Sequence, residues 1–79
     1  MNPQLTILSI LRAAHPRMMP CGPMWAEVRM DSPTITYSAF TTALNELEVK
    51  GQIVVIQGED KRRAKITDAG RARLAENGI

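Results

Sequence analysis

The sequence has 79 residues, of which 44% are hydrophobic and 4% aromatic, and its formal net charge is +2. This length supports one small domain, residues 1–79, whose core has to come from Leu, Ile, Val, Met and Ala side chains. The single cysteine excludes an internal disulfide and a metal site made of several cysteines, and the lack of an apolar run of about 18 residues excludes a transmembrane helix.

The first predicted element is a helix from Pro3 to about Ala14. Asn2 can cap this helix, and His15 is expected to end it because a residue that precedes proline avoids the helical conformation. Apolar residues cover more than half of the helical wheel, which is more than a small core is expected to bury. The wide apolar arc predicts a homodimer with contacts from Ile7, Ile10 and Ala14. The alternative is that a short following strand and the last helix of the same chain cover this face.

A second, shorter helix is predicted after a proline-rich segment. Residues 17–23 contain two prolines and a glycine, which excludes a helix interior, although residues 18–19 can form a short edge strand. Pro23 can then open a helix that ends near Met30. Residues 31–34 form a turn that leads directly into a third helix. Two short helices joined by a tight turn are typical of a helix-turn-helix.

The third helix has the clearest pattern in the chain. Thr36 can cap its start, and Gly51 can end it in the left-handed conformation. At a spacing of about 3.6 residues, Phe40 and Leu44 fall on one side with Ala43 and Leu47, and we expect this side to face the core. The opposite side is uncharged and carries Ser38, Thr42, Asn45 and Val49, with Thr41 at its edge.

Two strand-like runs and a last helix complete the chain. Residues 52–57 and 63–67 have strand composition, and the five residues between them include a glycine, which is typical of a β-hairpin. Thr67 can cap a helix that runs from Asp68 to about Asn77 and turns Ala69, Ala72 and Leu74 inward.

The positive charge is concentrated at the hairpin and the last helix. Residues 61–73 hold six of the ten basic residues and a single acidic residue. Such a run can be a solvated hairpin tip and helix, or it can be the surface that binds a phosphate backbone. The six basic residues are Lys61, Arg62, Arg63, Lys65, Arg71 and Arg73.

Two segments carry a resemblance to a known family. Residues 44–53 read LNELEVKGQI, and residues 66–74 read ITDAGRARL. With the order of elements, they resemble the winged helix-turn-helix domains of small bacterial and phage transcriptional regulators of the MarR and PadR kind. In those regulators the recognition helix ends in a leucine, a charged pair and Lys-Gly, and the hairpin, or wing, returns into Leu-Thr-x-x-Gly-x-x-x-Leu.

The resemblance implies an α+β fold with a three-helix core, a two-stranded β-hairpin wing and a C-terminal helix. It also implies a protein that binds double-stranded DNA as a transcriptional regulator, with the third helix in the major groove and the wing on the backbone or minor groove. Helix contacts would come from Tyr37, Ser38, Thr41, Thr42 and Asn45, and wing contacts from Lys61, Arg62 and Arg63.

Two departures from that family favour a second function. The third helix has no basic residue before Lys50, and Glu46 and Glu48 flank its outward side, where they would repel phosphate. A winged-helix module that binds a protein partner and does not bind DNA is therefore the alternative.

The sequence offers little for catalysis. His15 and Cys21 are the only histidine and cysteine, and they lie in a proline-rich segment without a nearby carboxylate to orient them. No group of His, Asp and Glu has the spacing of metal ligands. We therefore expect that the protein is not an enzyme and that it has neither a metal site nor a cofactor. The start of the chain lacks the basic segment and cleavage site of a secretory signal, so we expect a cytoplasmic protein.

Overall fold

The computed structural model of the chain describes residues 2–79. Helices and strands follow one another along these residues in an order that confirms the predicted α+β architecture, including the C-terminal helix. The elements are α1 (Pro3–Ala14), β1 (Met19–Pro20), α2 (Cys21–Asp31), α3 (Tyr37–Val49), β2 (Ile53–Gln57), β3 (Arg62–Ile66) and α4 (Asp68–Glu76).

Local hydrogen bonds fix the ends of the helices as the sequence predicted. The side chain of Asn2 accepts a hydrogen bond from the backbone N–H of Leu5 at 2.8 Å, and Thr36 accepts one from Ala39 at 3.0 Å. Such caps satisfy N–H groups that have no partner within the helix. Gly51 has φ of 72°, a left-handed conformation that glycine adopts without steric cost, and it follows the end of α3.

The start of α2 differs from the prediction. The helix begins at Cys21, two residues before the predicted start at Pro23. The proline is the third residue of the helix, where its missing N–H costs no hydrogen bond because first-turn N–H groups have no partner within the helix. The preceding strand is Met19–Pro20, one residue later than the predicted 18–19.

The sheet has three antiparallel strands in the order β1-β3-β2, so the predicted two-stranded hairpin is extended by one short strand. Ala64 in the central strand β3 is paired with Met19 on one side and with Val55 on the other. Gln57 pairs with Arg62 at the end of the hairpin, so its turn consists of the four residues 58–61. β1 thereby connects the segment after α1 to the middle of the sheet.

Helix α1 is the centre of the core, and its position corrects the predicted dimer surface. α1 packs against α2, α3, α4 and β3, so its wide apolar arc faces elements of its own chain. Ile7 is fully buried and cannot contact a second copy, and Ile10 and Ala14 are only partly exposed. The other fully or nearly fully buried apolar residues are Leu8, Leu11, Met24, Val28, Phe40, Ala43, Leu44, Leu47, Ile53, Ala64, Ile66 and Leu74.

Helix α4 buries a different face from the predicted one. Leu74 is buried as expected, but Ala69 and Ala72 are exposed and Gly70 is buried in their place. Gly70 allows the start of α4 to approach the backbone carbonyl of Gln52, an approach that a side chain would prevent. None of the helices in residues 2–79 is long and apolar enough to span a membrane.

Candidate nucleic-acid interface

The outward side of α3 presents a row of short side chains, which we call the outer row: Ser38, Thr42, Asn45 and Val49. All four residues are exposed, and Val49 is 87% exposed although it is apolar. The row lies opposite the buried Phe40 and Leu44, so the packing of α3 onto the core turns it away from the rest of the domain. Side chains of this size allow a helix to approach another surface closely.

The other two predicted contact residues of α3 lie at the margin of this row. Thr41 is half-buried, and its hydroxyl donates a hydrogen bond to the backbone carbonyl of Ser38 at 3.0 Å. Tyr37 is 59% exposed, but its ring packs edge-on against Trp25 with 5.3 Å between the ring centroids. The ring of Tyr37 also lies 5.9 Å from that of Phe40. At the start of α3, Tyr37 therefore packs against the aromatic core with part of its ring and exposes the rest to solvent.

A polar network occupies the side of α3 that faces α1. The side-chain amide of Gln4 donates to Glu46 at 3.1 Å, and its oxygen accepts from Arg73 at 2.6 Å. The ammonium of Lys50 lies 3.5 Å from the same oxygen, and Arg73 also donates to the side chain of Gln52 at 2.9 Å. Gln4 therefore holds Glu46, Lys50 and Arg73 in one network on this side of α3.

The basic run of residues 61–73 does not form one surface. Arg73 takes part in the network beside α1, and Arg71 forms an ion pair with Asp68 and contacts the ring of His15. These two arginines are on α4, away from the hairpin turn. The basic residues that remain on the hairpin are Lys61, Arg62, Arg63 and Lys65.

The two arginines of the hairpin point to opposite faces of the sheet. Side chains alternate along a strand, and Arg62 shares the inner face with the buried Ala64. Arg63 lies on the outer face, where its register partner is Ile56. Lys65 is on the same outer face as Arg63, farther from the turn. The three predicted wing residues therefore do not form one cluster.

On the inner face, Arg62 lines an open groove between the hairpin, the start of α2 and the start of α3, which we call the Arg62 groove. It has a volume of about 540 Å³, and Tyr37 forms its wall on the α3 side. The first turn of α2, residues 21–23, lines the groove, so the positive end of that helix also lies there. No side chain caps this end. The remaining lining residues are Pro20, Cys21, Gly22, Pro23, Gln57, Asp60 and Lys61.

Cys21 lies at the edge of this groove and is half-buried. Burial raises the pKa of its thiol, while the charge of Arg62 acts in the opposite direction. The thiol is therefore protonated near neutral pH, which makes it a weak nucleophile. Among residues 2–79, no three His, Cys, Asp or Glu side chains lie close enough together to hold a metal ion.

Sequence reasoning missed part of this site. No local sequence pattern indicates that Gln4 contacts Glu46 and Arg73, because the three residues are far apart in the chain. Val49 did have a signal, since a β-branched apolar residue followed Ser38, Thr42 and Asn45 on the uncharged side of the predicted helix.

Three helices with a helix-turn-helix and a β-hairpin beside the third define a winged helix-turn-helix fold, as the sequence predicted. A transcriptional regulator of the MarR family from Silicibacter pomeroyi has a similar structure, with a TM-score of 0.77 and 22% sequence identity. The similarity covers 96% of this chain and 48% of that one, so the chain spans about half the length of the regulator. The structure of SSV1 F-93 is also similar, with a TM-score of 0.76, 16% identity and coverage of 96% and 81%. No protein-family model and no curated protein sequence matches the chain.

Proposed function

We propose that the chain binds double-stranded DNA as a transcriptional regulator of bacterial or phage type, acting in the cytoplasm. The observation that carries this proposal is the exposed, uncharged outer row of α3, which begins next to the Arg62 groove, where two cations, Lys61 and Arg62, outnumber one acid, Asp60. A helix with such a face fits the major groove, and cations beside its start can bind the phosphates that border the groove. The structural similarity to a MarR-family transcriptional regulator supports the proposal.

In this proposal, affinity for DNA and discrimination between base sequences come from different elements of the fold. The outer row has hydroxyl and amide groups that can hydrogen-bond to base edges, but it has no cation. Most of the electrostatic attraction must therefore come from the hairpin, where Lys61 and Arg62 line the groove beside Tyr37. The hairpin contacts the backbone or the minor groove, and α3 reads the major groove.

The effect of salt on DNA binding tests the role of the hairpin. Each phosphate that a cation neutralises adds about −0.9 to the slope of log affinity against log salt concentration. Arg62→Ala should therefore make the slope less steep by about one unit and weaken binding to all duplexes alike. The measurement is a fluorescence polarisation titration against random duplex at several salt concentrations.

Lys65→Ala is the matched control, because it removes the same charge from the outer face of β3, away from the turn. We expect it to leave the slope unchanged. If both variants reduce the slope equally, only the total charge matters and Arg62 has no special position. If the wild-type protein binds no duplex even at low salt, the alternative function, a module that binds a protein partner, becomes the better explanation.

A homodimer is also part of the proposal, on a smaller surface than the sequence suggested. Ile10 is partly exposed on α1, and Met30 is 83% exposed on α2. Both residues border a groove of about 390 Å³ between the two helices, together with Thr6, Ser9, Glu27 and Asp31. A second copy on this face would cover both apolar side chains.

Sedimentation at micromolar concentration tests this assembly. Met30→Glu should convert a dimer to the 8.8 kDa monomer without loss of folding, because the side chain is exposed. Val49→Glu is the control, since it adds the same charge at an equally exposed apolar position on a different face, and it should leave the dimer intact. A wild-type protein that sediments as a monomer would remove the dimer from the proposal.

A further inference from the structure

The C-terminal half of the outer row combines an amide with two methyl-bearing side chains. Thr42, Asn45 and Val49 are spaced three and four residues apart, so they follow one line along the helix. All three border the same shallow groove of about 300 Å³, which Glu46 and Lys50 also line. Single exposed apolar residues are common on protein surfaces, so the exposure of Val49 alone means little. Its alignment with Thr42 and Asn45 is the informative observation.

The chemistry of this line matches one type of base pair. An Asn side chain can donate to N6 and accept at N7 of adenine at the same time, and apolar side chains contact the methyl group of thymine. Guanine is read mainly by Arg or Lys, and the outer row contains neither. From Thr42 to Val49 the helix rises by about 10 Å, which corresponds to about three base-pair steps.

The two charged residues that line the same groove, and that would favour G·C pairs, contact α1. Lys50 could donate to guanine and Glu46 could accept from cytosine, but both interact with Gln4 on the side of α3 that faces α1. Glu48 precedes Val49 and is rotated about 100° from it around the helix axis, towards Thr41. The line of Thr42, Asn45 and Val49 is therefore uncharged, and the two charged residues of the groove lie at its edge towards α1.

We infer that α3 selects DNA sites in which the base pairs it contacts are A·T, with Asn45 on an adenine and Val49 against the methyl group of a nearby thymine. This inference rests on the proposed function and adds the class of base pair that the same surface reads. It assigns Val49 a role in specificity that no feature of the core requires, since the side chain is 87% exposed.

Three duplexes with the same backbone separate readout in the major groove from readout in the minor groove. Inosine·cytosine has the minor-groove edge of an A·T pair and the major-groove edge of a G·C pair. The wild-type protein should bind an alternating A·T duplex about tenfold more tightly than the I·C duplex, and it should bind I·C and G·C duplexes equally. Asn45→Ala should reduce this preference.

The other outcomes of the duplex comparison have distinct meanings. Equal binding to A·T and I·C with weaker binding to G·C would assign discrimination to the minor groove, which overturns the inference. Equal binding to all three would also overturn it, but DNA binding itself would stand. No binding to any duplex at low salt would contradict the proposed function instead.

Deoxyuridine provides a direct test for Val49, because it pairs like thymine but lacks the methyl group. Replacing thymine by deoxyuridine in the A·T duplex should weaken wild-type binding about fourfold, the effect of one lost apolar methyl contact. Val49→Ala should show a much smaller difference between the two duplexes, because its shorter side chain withdraws from the methyl group. Val54→Ala is the control, because it shortens another exposed valine on the outer face of the sheet, and it should keep the wild-type sensitivity. If Val49→Ala keeps that sensitivity too, Val49 does not contact the methyl group.

Discussion

Replacing Phe40 by alanine is expected to lower the free energy of unfolding by about 3–5 kcal/mol. Phe40 is 1% exposed, and its ring lies 5.1 Å from that of Trp25 and 5.9 Å from that of Tyr37. The substitution removes the most buried ring of this aromatic cluster and leaves a cavity, because the surrounding helices can collapse only partly. It also removes the packing that turns the outer row of α3 outward.

The total stability of a domain of this size is small, with single domains typically having about 5–15 kcal/mol and short ones lying near the lower end. Phe40→Ala is therefore expected to be largely unfolded under conditions where the wild-type protein is folded. Thr42→Ala on the exposed side of the same helix is the control and should change stability by less than about 0.5 kcal/mol. Urea denaturation followed by circular dichroism measures both. A larger loss for Thr42→Ala than for Phe40→Ala would mean that α3 faces the other way.

The parts of the fold that the sequence predicted depend on local interactions. The start of α3 is set by a hydrogen bond between Thr36 and Ala39, and its end by the left-handed conformation of Gly51. The buried side follows from the 3.6-residue spacing of Phe40, Leu44 and their neighbours. These signals lie within one helix, so they could be read without knowledge of the other elements.

The burial of α1 depends on the other elements and could not be predicted in the same way. A wide apolar arc can face a second copy or several elements of the same chain, and the two cases have the same sequence pattern. In the structure α1 is covered by three helices and β3, which buries Ile7 completely. The short strand β1 pairs with β3 and so holds the segment after α1 against the sheet.

Only the part of the candidate site that depends on local spacing could be predicted from the sequence. The outer row follows from helical spacing, whereas the basic run of residues 61–73 was grouped by position in the chain. The alternation of strand side chains separates Arg62 from Arg63, and long-range hydrogen bonds hold Arg73 against Gln4. Only the fold shows which of these cations can lie beside α3.

Gly70→Ala is expected to lower the free energy of unfolding by about 3 kcal/mol, the upper end of the usual cost of an overpacked core. A methyl group at this position would lie 2.3 Å from the backbone carbonyl oxygen of Gln52 and 2.7 Å from Ile66 Cγ1. The carbonyl cannot move away easily, because it accepts a hydrogen bond from the backbone N–H of Thr67 at 3.1 Å. The higher helix propensity of alanine, worth about 1 kcal/mol, does not offset this clash.

Gly22→Ala is the matched control for Gly70→Ala, because it makes the same change in the first turn of another helix. Apart from its chain neighbours and the backbone of its own helix, no atom of residues 2–79 lies within 4 Å of the methyl group that it would add, so we expect stability to be unchanged or to rise by up to about 1 kcal/mol. Chemical denaturation of the two variants compares the clash with the propensity gain directly. If Gly70→Ala is as stable as Gly22→Ala, the start of α4 does not lie this close to Gln52. The link between α4 and the hairpin that presents Arg62 would then be looser than the structure indicates.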